Sequence, residues 1–169
     1  RCFNIERGTK QGDPLSSLLF NCVSESIMRK VKAKWSVQHV GLPLQPHHSP
    51  TSTLTNLRFA DDILLTATSL RHVSNMIADL STEAGKVGLQ LHAGKTKILH
   101  NNCQTTDGTR RRRLVPDSAR VLDMTIDILP ARDATKYLGR QLGFSNPHGV
   151  EVESRISQAW RKFYKLKQE

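Results

Sequence analysis

Leu57-Arg58-Phe59-Ala60-Asp61-Asp62-Ile63-Leu64-Leu65 sets two adjacent carboxylates between two short apolar runs. Either run alone fits helix or strand, but two of them meeting at a double Asp read best as a β-hairpin with the acids at its tip. Along a regular strand successive side chains point to opposite faces, so only a turn lets both carboxylates lie near one point. Two such acids repel each other without a cation, and a divalent metal makes the doubly charged pair favourable. That is the chemistry of phosphoryl transfer. The dipeptide by itself is more often a solvated turn, because Asp is a common turn residue.

The sequence on either side shifts that balance. Upstream, Arg7-Gly8-Thr9-Lys10-Gln11-Gly12-Asp13-Pro14-Leu15-Ser16 is a Gly-containing polar loop that runs into a helix. Asp13 is a fitting N-cap and Pro14 a fitting first helical residue. Leu15, Leu18, Leu19, Cys22, Val23, Ile27 and Val31 then recur on one face, which predicts a helix from residue 14 to about 34. Glycines before a helix N-terminus let the backbone approach a ligand and favour phosphate, although a lone Gly-x-x-x-Gly more often marks an ordinary capped loop.

A short strand is expected within residues 37–44, followed by a loop to Thr55. The hairpin occupies residues 57–66, and Ser69 caps a second helix carrying Leu70, Val73, Ile77, Leu80 and Ala84 at helical spacing. Gly85 and Gly88 end it; Leu89-Gln90-Leu91 and Lys97-Ile98-Leu99 are strand candidates. The polar stretch from Asn101 to Pro116 contains Arg110-Arg111-Arg112-Arg113 and reads as a loop, solvated or phosphate-binding. Leu122, Met124, Ile126 and Ile128 alternate with polar residues as in a half-buried strand, and residues 137–144 suggest another. From about Gly149 a last helix places Val152, Ile156, Ala159, Trp160 and Phe163 on one side and Arg161, Lys162 and Lys165 toward the other. Trp160 is expected in the core.

Composition narrows the class. The 169 residues suffice for one domain with a core, and 37% hydrophobic with 24% charged residues is ordinary for a globular chain. Twenty-five Lys and Arg against fifteen Asp and Glu give +10, an excess that implies a polyanionic partner, above all nucleic acid. No apolar run reaches membrane-spanning length and no signal-like N-terminus is present, so no membrane partner and an intracellular location, nucleus and cytoplasm, are expected. Cys2, Cys22 and Cys103 lie far apart in no metal-ligand pattern, which argues against zinc and disulfides.

Four blocks in order, R-G-T-K-Q-G-D-P-L-S, F-A-D-D, G-L-Q-L-H-A-G-K-T-K and K-Y-L-G, make the chain resemble the reverse transcriptase domain of non-LTR (LINE-type) retrotransposons. The resemblance implies an α+β fold: part of a right-hand polymerase palm, an antiparallel sheet with packed helices, over residues 1–145, and the first helix of the thumb over 146–169. It implies an RNA-directed DNA polymerase using an RNA template, a DNA primer, deoxynucleoside triphosphates and two Mg2+ ions. Asp61 and Asp62 match the metal-binding catalytic carboxylates, and Lys95 the lysine near the nucleotide phosphates, a general acid for the leaving pyrophosphate. Gln11 matches the contact to the sugar of the incoming nucleotide, Gly12 the close backbone approach to the base pair, and Arg7 a template contact. Phe59 and Ala60 resemble the floor near the primer end, though Phe59 fits a core strand residue as well. Tyr137, Leu138 and Gly139 match the segment that grips the primer.

The pattern departs from the family where His92 replaces a common Asn and Ser17 a common Pro, which touches fine positioning. No counterpart of the family's first catalytic strand is found, so the chain is expected to be a fragment and inactive alone. The alternatives are a catalytically inactive nucleic-acid-binding remnant of a retroelement and a host-associated or intron-encoded relative.

Overall fold

A computed structural model describes residues 13–44, 53–101 and 115–167. Arg7, Gln11, Gly12 and the four-Arg run lie outside the described residues. Two compact units divide the chain, Arg1–Leu91 and His92–Glu169. The fold is α+β, with three helices and several small sheets among the described residues.

The first unit is built on two helices. α1 (Pro14–Val37) begins as its sequence dictates: Asp13 takes the extended N-cap conformation and its Oδ1 accepts the Leu15 N–H over 2.9 Å, with Pro14 opening the helix. α2 (Leu70–Gly85) is capped by Ser69, whose hydroxyl accepts the His72 N–H. Ile27, Met28, Val31 and Trp35 of α1 meet Met76, Leu80 and Ala84 of α2, and Val40 closes the cluster. Full burial of each large side chain contributes about 1.5–3 kcal/mol.

The expected apolar stripe of α1 is only half used. Leu15, Leu18, Leu19 and Val23 are exposed, and the buried face starts at Ser24. Length explains it: α1 has 24 residues and α2 has 16, so at 1.5 Å per residue about 12 Å of α1 overhangs its neighbour.

Residues 37–44 hold less strand than expected, because α1 extends through Val37 and only β1 (Leu42–Pro43) forms, paired with β2 (Thr53–Leu54). The predicted hairpin is present as β3 (Asn56–Phe59) and β4 (Asp62–Leu65). Ile63 and Leu65 rest on the helical cluster.

In the second unit β7 (Met124–Leu129) is the centre of a three-stranded sheet. It runs antiparallel to β6 (Ser118–Val121) and parallel to β5 (Lys97–Leu99), so this sheet is mixed, while the other small sheets among the described residues are antiparallel as expected. Ile98, Val121, Ile126 and Ile128 are buried there. Leu122, expected within the strand, instead turns the chain at φ 52° and is exposed. Leu89-Gln90-Leu91 form no strand; Leu89 and Leu91 pack on the first unit's helical cluster.

The expected single strand over residues 137–144 is a hairpin, β8 (Ala134–Tyr137) and β9 (Arg140–Gly143). α3 (Pro147–Lys167) follows, its first turn held by the Gly149 N–H donating to Asn146 Oδ1. Trp160 is not in a core: it is 54% exposed and forms a cluster with the rings of Phe163 and Tyr164. No described helix is long and apolar enough to cross a membrane.

Candidate functional site

The β3–β4 register fixes where the hairpin's side chains go. Phe59 faces Asp62, Arg58 faces Ile63, Leu57 faces Leu64 and Asn56 faces Leu65. Cross-strand partners share a face of the sheet. Ile63 and Leu65 lie on the helical core, so Arg58 and Asn56 belong to that side. Phe59, Asp62, Leu57 and Leu64 belong to the opposite side, where Phe59 is 66% exposed and Leu57 is also exposed. Phe59 is therefore an open surface residue, not a packed one.

Ala60 and Asp61 make the two-residue turn. Ala60 has φ 53°, a left-handed conformation costing an L-residue roughly 1–2 kcal/mol. Positive φ at the first turn residue alone is the sign pattern of a II′ turn, which matches the twist of a tight hairpin. Asp61 thus sits in the turn itself, while Asp62 opens β4 with its side chain on the face away from the helices. Both are exposed.

The electrostatics of the hairpin are asymmetric. Its basic residue, Arg58, donates from Nη2 to Glu25 Oε2 of α1 over 2.7 Å, and Glu25 Oε1 accepts from Arg29 Nε over 3.0 Å. These hydrogen bonds, the one from Arg58 foremost, hold the Glu25 carboxyl below its ordinary value. The guanidinium is spent on the core side. Among the described residues no cation pairs with Asp61 or Asp62, and no third His, Cys, Asp or Glu gathers with them. Two carboxylates nevertheless fit magnesium, which is commonly bound through one or two carboxylates with substrate phosphates and water completing the shell.

The second unit carries the other described candidates. Lys95 lies exposed in the turn that follows His92, whose carbonyl accepts the Lys95 and Thr96 N–H groups, each over 3.0 Å. Tyr137 ends β8, and Leu138 and Gly139 form the β8–β9 turn with φ 48° and 79°. Two positive φ values mark a I′ turn, natural for Gly139 and strained for Leu138.

That turn is anchored by a residue the sequence did not single out. Glu151 of α3 is buried; its Oε2 accepts the Gln141 backbone N–H over 2.7 Å and its Oε1 accepts Arg155 Nε over 2.6 Å. The Gln141 N–H first, then Arg155, keeps the Glu151 carboxyl below its ordinary range. Gln141 Nε2 also donates to Ser154 Oγ over 3.3 Å. A Glu-x-x-x-Arg spacing was the available signal for Glu151, as it was for Glu25 with Arg29.

An acid pair that is exposed and paired with no cation among the described residues thus stands at the turn of a hairpin whose other face rests on the helical cluster. A family model described as reverse transcriptase (RNA-dependent DNA polymerase) matches residues 1–142, and the chain belongs to that family. It is 38% identical over 110 residues to an uncharacterized transposon-derived protein of Caenorhabditis elegans, covering 65% of this chain and 36% of the relative. It is 29% identical over 93 residues to the retrovirus-related Pol polyprotein from type-1 retrotransposable element R2 of Nasonia vitripennis, covering 55% of this chain and 8% of that one. The chain thus spans about a third of the first relative's length and under a tenth of the second's.

Proposed function

We propose that the chain is palm and early thumb, divided near residue 145, of an RNA-directed DNA polymerase from a LINE-type retroelement. Its substrates are an RNA template, a DNA primer and deoxynucleoside triphosphates. The observation that carries this is the hairpin: Asp61 and Asp62 stand exposed at its turn, free of any described cation, with Phe59 open on the face that Asp62 shares. An apolar floor beside paired acids suits the end of a base-paired primer next to a metal-bound triphosphate.

Asp61 and Asp62 would hold the magnesium. When bound, two such ions would supply activation of the attacking 3′ hydroxyl and stabilisation of the leaving pyrophosphate. The chain's own side chains position and transfer protons: Lys95 serves the leaving group as acid, Tyr137, Leu138 and Gly139 hold the primer end, and Gln11, Gly12 and Arg7 contact nucleotide and template. The net charge of +10 supports attraction to the nucleic acid.

In the protein that carries this chain, Asp61→Asn keeps the shape and removes a ligand. Template-directed incorporation with magnesium should fall by more than about 100-fold, the upper end for losing even an outer-shell partner of a metal ligand. Wild-type rates in Asp61→Asn would sink the assignment. Nucleic-acid binding without any extension by the unmutated protein would favour an inactive remnant.

A further inference from the structure

Arg58, on β3, is the basic side chain nearest in sequence to the acid pair, three residues before Asp61 in the turn. Left free, a guanidinium on that stem would find two exposed carboxylates, because Arg forms forked bonds with carboxylates and its long side chain can swing around the hairpin. The structure sends it elsewhere. Arg58 shares a face with Ile63, toward the helices, and there Glu25 receives its Nη2 over 2.7 Å. Glu25 is fully engaged, one oxygen to Arg58 and the other to Arg29.

We infer that Glu25 is a positioning residue for the metal site: it holds Arg58 on the core side of the hairpin and so keeps Asp61 and Asp62 available to a divalent cation. The inference rests on the polymerase reading of Asp61 and Asp62. Glu25 and Arg58 touch neither metal nor substrate themselves. A plain anchoring role, with the pair tethering hairpin to α1, makes a different prediction. If the pair only anchors, removing both partners is at least as harmful as removing one. If Glu25 restrains a competing cation, removing Arg58 as well cures the loss of Glu25.

The test uses the protein that carries this chain as wild type, Glu25→Gln, Arg58→Met, the double variant, and Asp61→Asn as reference. Binding of Mn2+ followed by electron paramagnetic resonance, without nucleotide, is the first readout; the Mg2+ concentration giving half-maximal primer extension is the second. Glu25→Gln should weaken metal binding by about two- to fivefold, the range an exposed ion pair commands. Arg58→Met should bind at least as well as wild type, and the double variant should return to the wild-type value. Glu25 has a half-exposed side chain on a helix surface, so Gln is accommodated there. Unchanged binding in Glu25→Gln, or a double variant as weak as Glu25→Gln, would overturn the inference. Absence of Asp61-dependent metal binding in the wild type would instead overturn the polymerase reading on which it rests.

Discussion

Asp79→Ala should loosen the two-helix core of the first unit, and the size follows from two contacts. Trp35 is 0% exposed and its indole Nε1–H donates to Asp79 Oδ2 over 3.1 Å. A buried donor left without an acceptor costs about 1–3 kcal/mol. The other oxygen accepts from Lys34 Nζ, whose side chain is 54% exposed, so that ion pair adds at most about 1 kcal/mol. Asp79→Ala should therefore lose about 1–4 kcal/mol, and Lys34→Met, which keeps the indole bond, under about 1 kcal/mol. The indole term is the larger.

Urea unfolding read by tryptophan fluorescence measures both. A Trp160→Phe background leaves Trp35 as sole reporter, since the chain has two tryptophans. Equal losses in Asp79→Ala and Lys34→Met would refute the reasoning, because the indole would then have found another acceptor. The consequence reaches the site, because Ile63 and Leu65 of the hairpin rest on this cluster.

Ala60→Gly should stabilise the hairpin by up to about 1 kcal/mol, since relief of a left-handed Ala outweighs the added freedom of the unfolded chain. Ala60→Val should destabilise it, and equal urea midpoints for the two variants would contradict the turn geometry. Glu25, Glu83 and Glu151 all have carboxyls held below the ordinary 4.5, by Arg58, Lys86 and the Gln141 N–H respectively as the leading causes. The unfolded chain therefore takes up protons first on acidification. The stability these groups supply is complete above about pH 4.5 and is lost as pH falls through their depressed folded values. Melting temperature against pH should show a steep acid limb that Glu151→Gln flattens; an unchanged limb would count against the Glu151 contacts.

What could be read from the sequence was local. Asp13-Pro14 and Ser69 announce their helices because a cap is satisfied within three residues, and the double Asp between apolar runs announces its hairpin for the same reason. The buried face of α1 was misjudged in extent because it depends on the length of α2, which no feature of α1 encodes. The β8–β9 hairpin was hidden by Leu138, a residue that seldom takes positive φ and so does not advertise a turn. Of the candidate site, the acids were legible as a pair, but their open face and the withdrawal of Arg58 were not. Arg58 and Glu25 are 33 positions apart, as Trp35 and Asp79 are 44 apart, and such pairings emerge only from packing.

Pinned together at Gln141, α3 and the β8–β9 hairpin would swing as a single lever. Its fulcrum is at Gln141, where strand and helix are pinned by both the Glu151 carboxylate and the Ser154 hydroxyl. From Glu151 to Lys167 the helix extends about 24 Å at 1.5 Å per residue. A tilt of about 5° at the pinned end sweeps the far end through roughly 2 Å, and the Leu138-Gly139 turn, two to three strand residues or about 7–10 Å from Gln141, moves about a third as far. Coarse motion at the basic end of α3 would thus become sub-ångström adjustment at the strained turn.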